Sequence, residues 1–359
     1  MKGTDSSVRR QPAVSPAASV PVRAQFDSWT RMFEAIEDLR LDTYIVSRES
    51  RPWQLDSYRL GDGLLQHGVD GAPHVSAGRL APDRVVYLLA GGSFSGRFCD
   101  GHELDAGSFY RWGPGADVSL HARRPGEWFA LSATPEAEAR AAAAVSAGGT
   151  EGPRLSTGLV KASPDGMAAL RRLLDEAATL FDRAGASGIP EQATRQLGEE
   201  LLGAVVRLSI ETPVPCRPSR GARVDRGLVV RRVEGIFAAT SSGPVYVSSL
   251  SEALGIPERT LRHVLAEQYG EGPTRLLRSR RLCQVYRALL DAPVGAHVAG
   301  IAESFGFRHL GQFAADYREL FGELPSETIR RAPSRGGELT GLSQRWRHGP
   351  PAVEMLPAC

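Results

Sequence analysis

Lysine is almost absent from this 359-residue chain: Lys2 and Lys161 are the only two among 43 basic residues, so arginine carries nearly all the positive charge. The bias toward Arg, Ala, Gly and Pro fits a GC-rich coding sequence, and arginine number alone therefore identifies no site. The four cysteines, Cys99, Cys216, Cys283 and Cys359, show no CxxC or Cys/His spacing, which argues against a disulfide framework and a zinc site. They are expected to be free thiols. No apolar run approaches the roughly 20 residues of a membrane-spanning helix. The opening "MKGTDSSVRRQPAVSPAASVPVR" has charges but no continuous apolar centre, so a disordered arm rather than a secretory signal is expected, and with it a cytoplasmic location. His67, His74, His102 and His121 form no HxH pair followed by a Glu, and "DGHELDAG" offers one His beside one Glu. They read as ordinary surface or loop histidines, with no metal and no other cofactor expected. GxSxG, P-loop and GxGxxG patterns in a strand-turn-helix context are missing too, so no catalytic residue is assigned and an enzyme is not expected.

What is present is a globular composition, 42% hydrophobic and 23% charged, in a chain long enough for two domains. The net charge of +2 is unevenly spread: Arg217 to Arg335 holds 18 Arg and no Lys against 12 Asp plus Glu. A polyanion would meet its attraction in the C-terminal third.

Residues 1–24 read as the arm and 25–211 as a first domain. That domain opens with an amphipathic helix over Phe26 to Leu39, on the spacing of Phe26, Trp29, Phe33 and Ile36. Short runs then follow, "DTYIVSRE", "WQLDSYRL", "GLLQHGV", "DRVVYLLAG", "SFSGRFC", "GSFYRWG", "ADVSLHA" and "EWFALSA", each bounded by Gly, Pro or Asp. Their even spacing predicts a β-rich barrel or sandwich. "DGMAALRRLLDEAATLFDRA" and "EQATRQLGEELLGAVVRLSIE" have helical period and predict an antiparallel pair, either a dimer seam or packing for the sheet. "TPVPCRPSRGA", 212–222, reads as a linker, 223–332 as a helical domain, and 333–359 as a disordered tail. The fold class is thus α+β, with an all-α C-terminal unit.

One pattern occurs twice in that unit. "LSEALGIPERTLRHVLAEQYG" gives a helix with Leu250 and Leu254, a turn at Gly255 and Ile256, and a second helix with Leu261, Val264 and Leu265 inward. "IAESFGFRHLGQFAADYRELFG" repeats it with Ile301, Ala302 and Phe305, a turn at Gly306 and Phe307, then Phe313, Tyr317, Leu320 and Phe321. Between them "PTRLLRSRRLCQVYRALL" reads as one long helix that sets the separation of two modules. Major-groove faces of DNA recur about 34 Å apart, and a stiff connector suits that interval.

The outward residues supply the grip. Arg259, Arg262 and His263 lie opposite Leu261 and Leu265, where Arg makes bidentate contacts to guanine and His meets a base edge. Arg275, Arg278, Arg280 and Arg281 flank them as phosphate partners. In the second copy Arg308, His309, Leu310, Gln312 and Ala315 face outward with Asp316 nearby, and Arg318, Arg330 and Arg331 lie near phosphates. Fewer base-reading groups predict a weaker or more shape-dependent second contact. The aromatics Phe305, Phe307, Phe313, Tyr317 and Phe321 could stack single-stranded bases, but their helical spacing reads better as core.

Two such motifs joined by a helix, the second with Gly306, Phe307, Phe313, Tyr317, Phe321, Gly322, Pro325 and Ser326 in the order GF, F, aromatic, FG, PS, resemble the AraC/XylS family of bacterial transcription regulators. The match covers roughly a hundred residues. "HLGQFAADYRELFGELPSETI" and the upstream element order are most similar to the branch of the ethanolamine-utilisation regulator. The resemblance implies a cupin-like sensor domain that takes a small-molecule effector or dimerises, activation of transcription, and double-stranded DNA and RNA polymerase as partners. Trp53, Tyr58, Tyr87, Phe109 and Trp112 are candidates to line an effector pocket, with simple core packing as the alternative.

Overall fold

The computed structural model describes residues 18–91, 96–146, 155–211, 226–239 and 245–331. The first domain holds strands β1 (Ala18–Ser19) and β2 (Val22–Phe26), helix α1 (Trp29–Ala35), then β3 (Leu39–Ile45), β4 (Trp53–Leu60), β5 (Gly63–Val69), β6 (His74–Leu80), β7 (Val85–Ala90), β8 (Arg97–Cys99), β9 (His102–Leu104), β10 (Ser108–Trp112), β11 (Asp117–Ala122) and β12 (Glu127–Ala133). Helix α2 (Pro135–Val145), β13 (Gly158–Lys161), α3 (Pro164–Ala184), β14 (Ile189–Pro190) and α4 (Glu191–Glu211) complete it. The second domain is all helix: α5 (Arg226–Ala239), α6 (Val247–Leu254), α7 (Glu258–Tyr269), α8 (Pro273–Leu290), α9 (Val298–Ser304), α10 (Leu310–Phe321) and α11 (Pro325–Arg331).

Two antiparallel sheets form the centre, seven strands in the order β13-β10-β7-β12-β5-β4-β2 and five in the order β3-β6-β11-β8-β9. No hydrogen-bonded strand pair joins them among the described residues, so the β unit is a sandwich and not a closed barrel. Alternation explains the layering. Along β4, β7 and β10, Trp53, Leu55, Val86, Leu88, Tyr110 and Trp112 join the core between the sheets. The intervening Tyr58, Tyr87, Leu89 and Phe109 pack on Leu170, Leu174, Phe181 and Val205 of α3 and α4. The outer face of the five-stranded sheet is covered by the second domain: Tyr44, Val75, Val230, Val233, Tyr269, Cys283 and Tyr286 belong to one continuous apolar cluster. The molecule is therefore four layers deep, with both domains sharing a core.

Several expectations change here. The opening helix spans Trp29–Ala35 only, because Ser28 caps it, its Oγ accepting from Thr30 N at 3.2 Å, and Ile36 turns extended. Phe26 and Leu39 belong to strands, and β1 and the first three residues of β2 lie within the segment expected as an arm. Strand β6 and helices α2 and α5 had no sequence signal assigned; Gly78 interrupts the alternation of β6, where an added Cβ would lie 1.7 Å from Arg40 O. The five aromatics proposed for a pocket are each at most 1% exposed, split between the two faces of the seven-stranded sheet. They form no common pocket wall. The linker, residues 223–225 and the tail lie outside the described residues.

Candidate nucleic-acid interface

Helices α6 and α7 form one helix-turn-helix around Gly255 (φ 64°), and α9 and α10 the other around Gly306 (φ 82°). Each second helix has 12 residues and ends on a left-handed glycine, Gly270 after α7 and Gly322 after α10. Counted from their first residues, they correspond position by position. Leu261 and Leu265 of α7 match Phe313 and Tyr317 of α10, all at most 2% exposed. On the opposite face Arg259, Arg262 and His263 match Gly311, Ala314 and Ala315, so the first helix presents long polar side chains where the second presents a bare surface. Both patterns keep their modules on α8, whose Leu276, Leu277, Leu282, Val285, Tyr286 and Leu289 are buried on several sides. Its 18 residues give a rod roughly 27 Å long.

Arg259, Arg262 and His263 are exposed, as are Arg275, Arg278, Arg308, His309, Gln312 and Arg318. His309 sits at the N-cap of α10, with Arg308 just before it. Several of these side chains have acidic partners on their own surface. Arg262 pairs with Glu258 at 3.2 Å, His263 with Glu267 at 3.4 Å and Arg275 with Glu271 at 3.6 Å, all one helical turn apart. Such exposed pairs contribute little to stability, roughly 0–1 kcal/mol, and break readily for a phosphate. Their i,i+4 spacing is readable in the sequence.

Three of the arginines expected at phosphates differ. Arg280 is 3% exposed, donates to the carbonyl of Phe237 and lies over the Phe237 ring at 4.9 Å. It is a core residue, because α8 turns that face toward α5. Arg281 is half-buried with its guanidinium 5.1 Å from the Phe307 ring centre, and desolvation lowers its pKa. Arg331 is tied to Glu323 at 2.7 Å and to Tyr286 Oη at 3.2 Å. A concavity of about 680 Å³ lies between Arg48 of the first domain and Ala315, Arg318 and Glu319 of α10.

The seam between the domains was invisible in the sequence. Arg287 of α8 donates to Asp42 and, at 2.5 Å, to Thr43 O of β3, and its guanidinium lies 4.6 Å from the Trp29 ring. Arg123 Nε donates to Gln268 O at 3.1 Å, at the end of α7, and the His121 ring lies 4.9 Å from Tyr269. Tyr269 in turn donates to Glu234 of α5, a buried carboxyl that desolvation pushes up to about 7. His121 is held well below its usual pKa, first by desolvation. No cluster of three or more His, Cys, Asp or Glu fit to hold a metal occurs among the described residues.

These elements define a protein that joins an antiparallel β-sandwich to a tandem helix-turn-helix unit. A helix-turn-helix domain family model matches residues 250–331. The probable thc operon regulatory protein of Rhodococcus erythropolis is 32% identical over 108 residues, 30% of this chain and 32% of that protein. The XylDLEGF operon transcriptional activator 2 of Pseudomonas putida is 31% identical over 113 residues, 31% of this chain and 71% of that protein. A solved structure of a probable AraC family transcriptional regulator from Rhodopseudomonas palustris is 35% identical, covering 29% of this chain and 97% of that one, with a TM-score of 0.28. The chain belongs to the AraC/XylS family of transcriptional regulators, the relatives being regulators and not enzymes. It spans about a third of the length of the Rhodococcus protein.

Proposed function

We propose that this chain is a sequence-specific regulator, an activator of transcription, that binds double-stranded DNA through both helix-turn-helix modules and responds to a small-molecule effector through its sandwich domain. The observation that carries the reading is the pair of equal recognition helices, α7 and α10, held on one buried connector with Arg259, Arg262, His263, Arg308 and His309 exposed. N-terminal turns of such helices meet base edges, and arginines around them meet phosphates. RNA polymerase is the partner that activation requires. No helix among the described residues is long and apolar enough to cross a membrane, and a cytoplasmic regulator needs none.

The helical pair supports a homodimer. Leu208 near the end of α4 meets Gly166 near the start of α3, where an added Cβ would lie 2.5 Å from it, so the helices run antiparallel. Between them an open groove of about 760 Å³ is edged by Arg172, Glu176, Glu199 and Arg207, charges of both signs that a second copy would match. The likeness to the ethanolamine-utilisation branch belongs to this proposal for its C-terminal wording, and no effector is carried over from it.

The test is selection of genome fragments by the purified full-length protein at near-physiological salt. Two recovered elements about one helical turn apart support the reading. Equal retention of unrelated fragments makes the protein a non-specific DNA binder instead.

A further inference from the structure

The second recognition helix begins with a leucine in water. Leu310 is the first residue of α10, remains 39% exposed, and follows directly on exposed Arg308 and His309. Its equivalent in α7 is Glu258, which pairs with Arg262. Nothing lies within 4 Å of a Cβ placed on the adjacent Gly311, and Ala315 on the next turn is also exposed. Polar reading is restricted nearby, because Gln312 Nε2 donates to Asp316 at 2.8 Å. The front of α10 is thus an apolar side chain on a bare helix surface, bordered by Arg308, His309 and Arg318.

An exposed leucine at this place has one apolar counterpart in the major groove, the 5-methyl group of thymine. The exposed Arg308 and Arg318 match the phosphates on either side. We infer that Leu310 reads a thymine by packing on its 5-methyl group, making it a specificity-determining residue of the second module. This rests on the DNA-binding reading above. It also accounts for a helix with few hydrogen-bonding readers: Gly311 and Ala315 let the backbone approach closely enough for that contact.

The experiment uses the duplex recovered by genome-fragment selection, with each thymine replaced in turn by deoxyuridine, which lacks only the methyl group. Affinities are measured for the full-length wild type, Leu310→Ala and Leu310→Met. Leu310 is exposed, so neither substitution empties the core, and circular dichroism checks the fold. One thymine facing α10 is expected to lose about fourfold in affinity on demethylation, the effect of one buried methyl group. Leu310→Met keeps that dependence and Leu310→Ala abolishes it. Selective wild-type binding with no methyl-dependent thymine overturns the inference and leaves the regulator reading standing, and so does a dependence that persists in Leu310→Ala. Recovery of no preferred duplex overturns both.

Discussion

The carboxylate of Asp316 on α10 lies 3.3 Å from both Nη1 and Nε of Arg278 on α8. It also accepts from Gln312, so one residue binds the connector to the second recognition helix and restrains two outward side chains. Asp316 occupies the position that Val264 holds in α7, so an acid stands where the first module has core. Neutralising it in Asp316→Asn removes an anion from beside the proposed DNA surface and releases Arg278 for a phosphate. The expected result is tighter binding with less discrimination between duplexes, and a plot of log K against log salt steeper by about one unit. An unchanged slope removes Arg278 from the phosphate contacts.

Arg280 and Arg275 are sequence neighbours with opposite expected phenotypes. Arg280→Ala removes the buried hydrogen bond to the Phe237 carbonyl and withdraws a cation that acts on Glu234, so stability falls by about 2 kcal/mol. Arg275→Ala, on the exposed side of α8, leaves the melting temperature unchanged and flattens the salt slope by about one unit. Thermal unfolding and salt titration of the two variants separate the roles. A flattened slope at full stability in Arg280→Ala would place its side chain on DNA after all.

Glu234 makes the seam sensitive to pH. Desolvation raises its carboxyl from the usual 4.5 to about 7; Tyr269 and Arg280 oppose this, while Asp42 of β3 adds to it. Tyr44 also faces it from the sheet. The folded protein therefore holds a proton that the unfolded chain releases at lower pH. The resulting stability is fully present below about pH 4.5, declines as pH rises, and is lost above about 7, an effect of roughly 3 kcal/mol. Glu234→Gln removes the titration. Its stability relative to wild type should rise between pH 4.5 and 7.5, followed by denaturant unfolding at several pH values; parallel curves for the two proteins would refute the shift.

The tandem motif was legible because its signals are local. The apolar spacing of Leu261 and Leu265 and of Phe313 and Tyr317, with glycines at both turns, fixes helices and inward faces without long-range information. Strands β4, β5 and β12 were legible to their ends for the same reason, each being a short strand-like run between turn residues. Arg280 was misread because nothing in "LLRSRRL" tells which arginine meets α5, a helix more than 40 residues away. The seam failed more completely. Asp42, Arg123 and Arg287 look like ordinary surface charges in sequence, and only the packing of α8 across β3 brings Asp42 and Arg287 together. The acidic partners Glu258, Glu267 and Glu271 were legible at i,i+4.

Cys283 reports on whether the domains stay docked. It is 1% exposed, its thiol points at Ile45 O across the seam at 3.7 Å, and burial pushes its pKa up to about 12. Arg287, one turn further along α8, fastens the same seam to Asp42 and Thr43. In a Cys216→Ser/Cys359→Ser background only Cys283 and Cys99 remain, and Cys99, fully buried in the sandwich, is the internal control. Adding Arg287→Ala should speed the reaction of Cys283 with a thiol reagent at least about tenfold, a loss of ~1.4 kcal/mol in docking free energy. Cys99 should stay at its original rate, as read by mass spectrometry of the labelled peptides. Acceleration of both thiols together would mean that Arg287 supports the whole fold. No acceleration of either would mean that the apolar cluster around Trp29 and Tyr286 holds the domains without it.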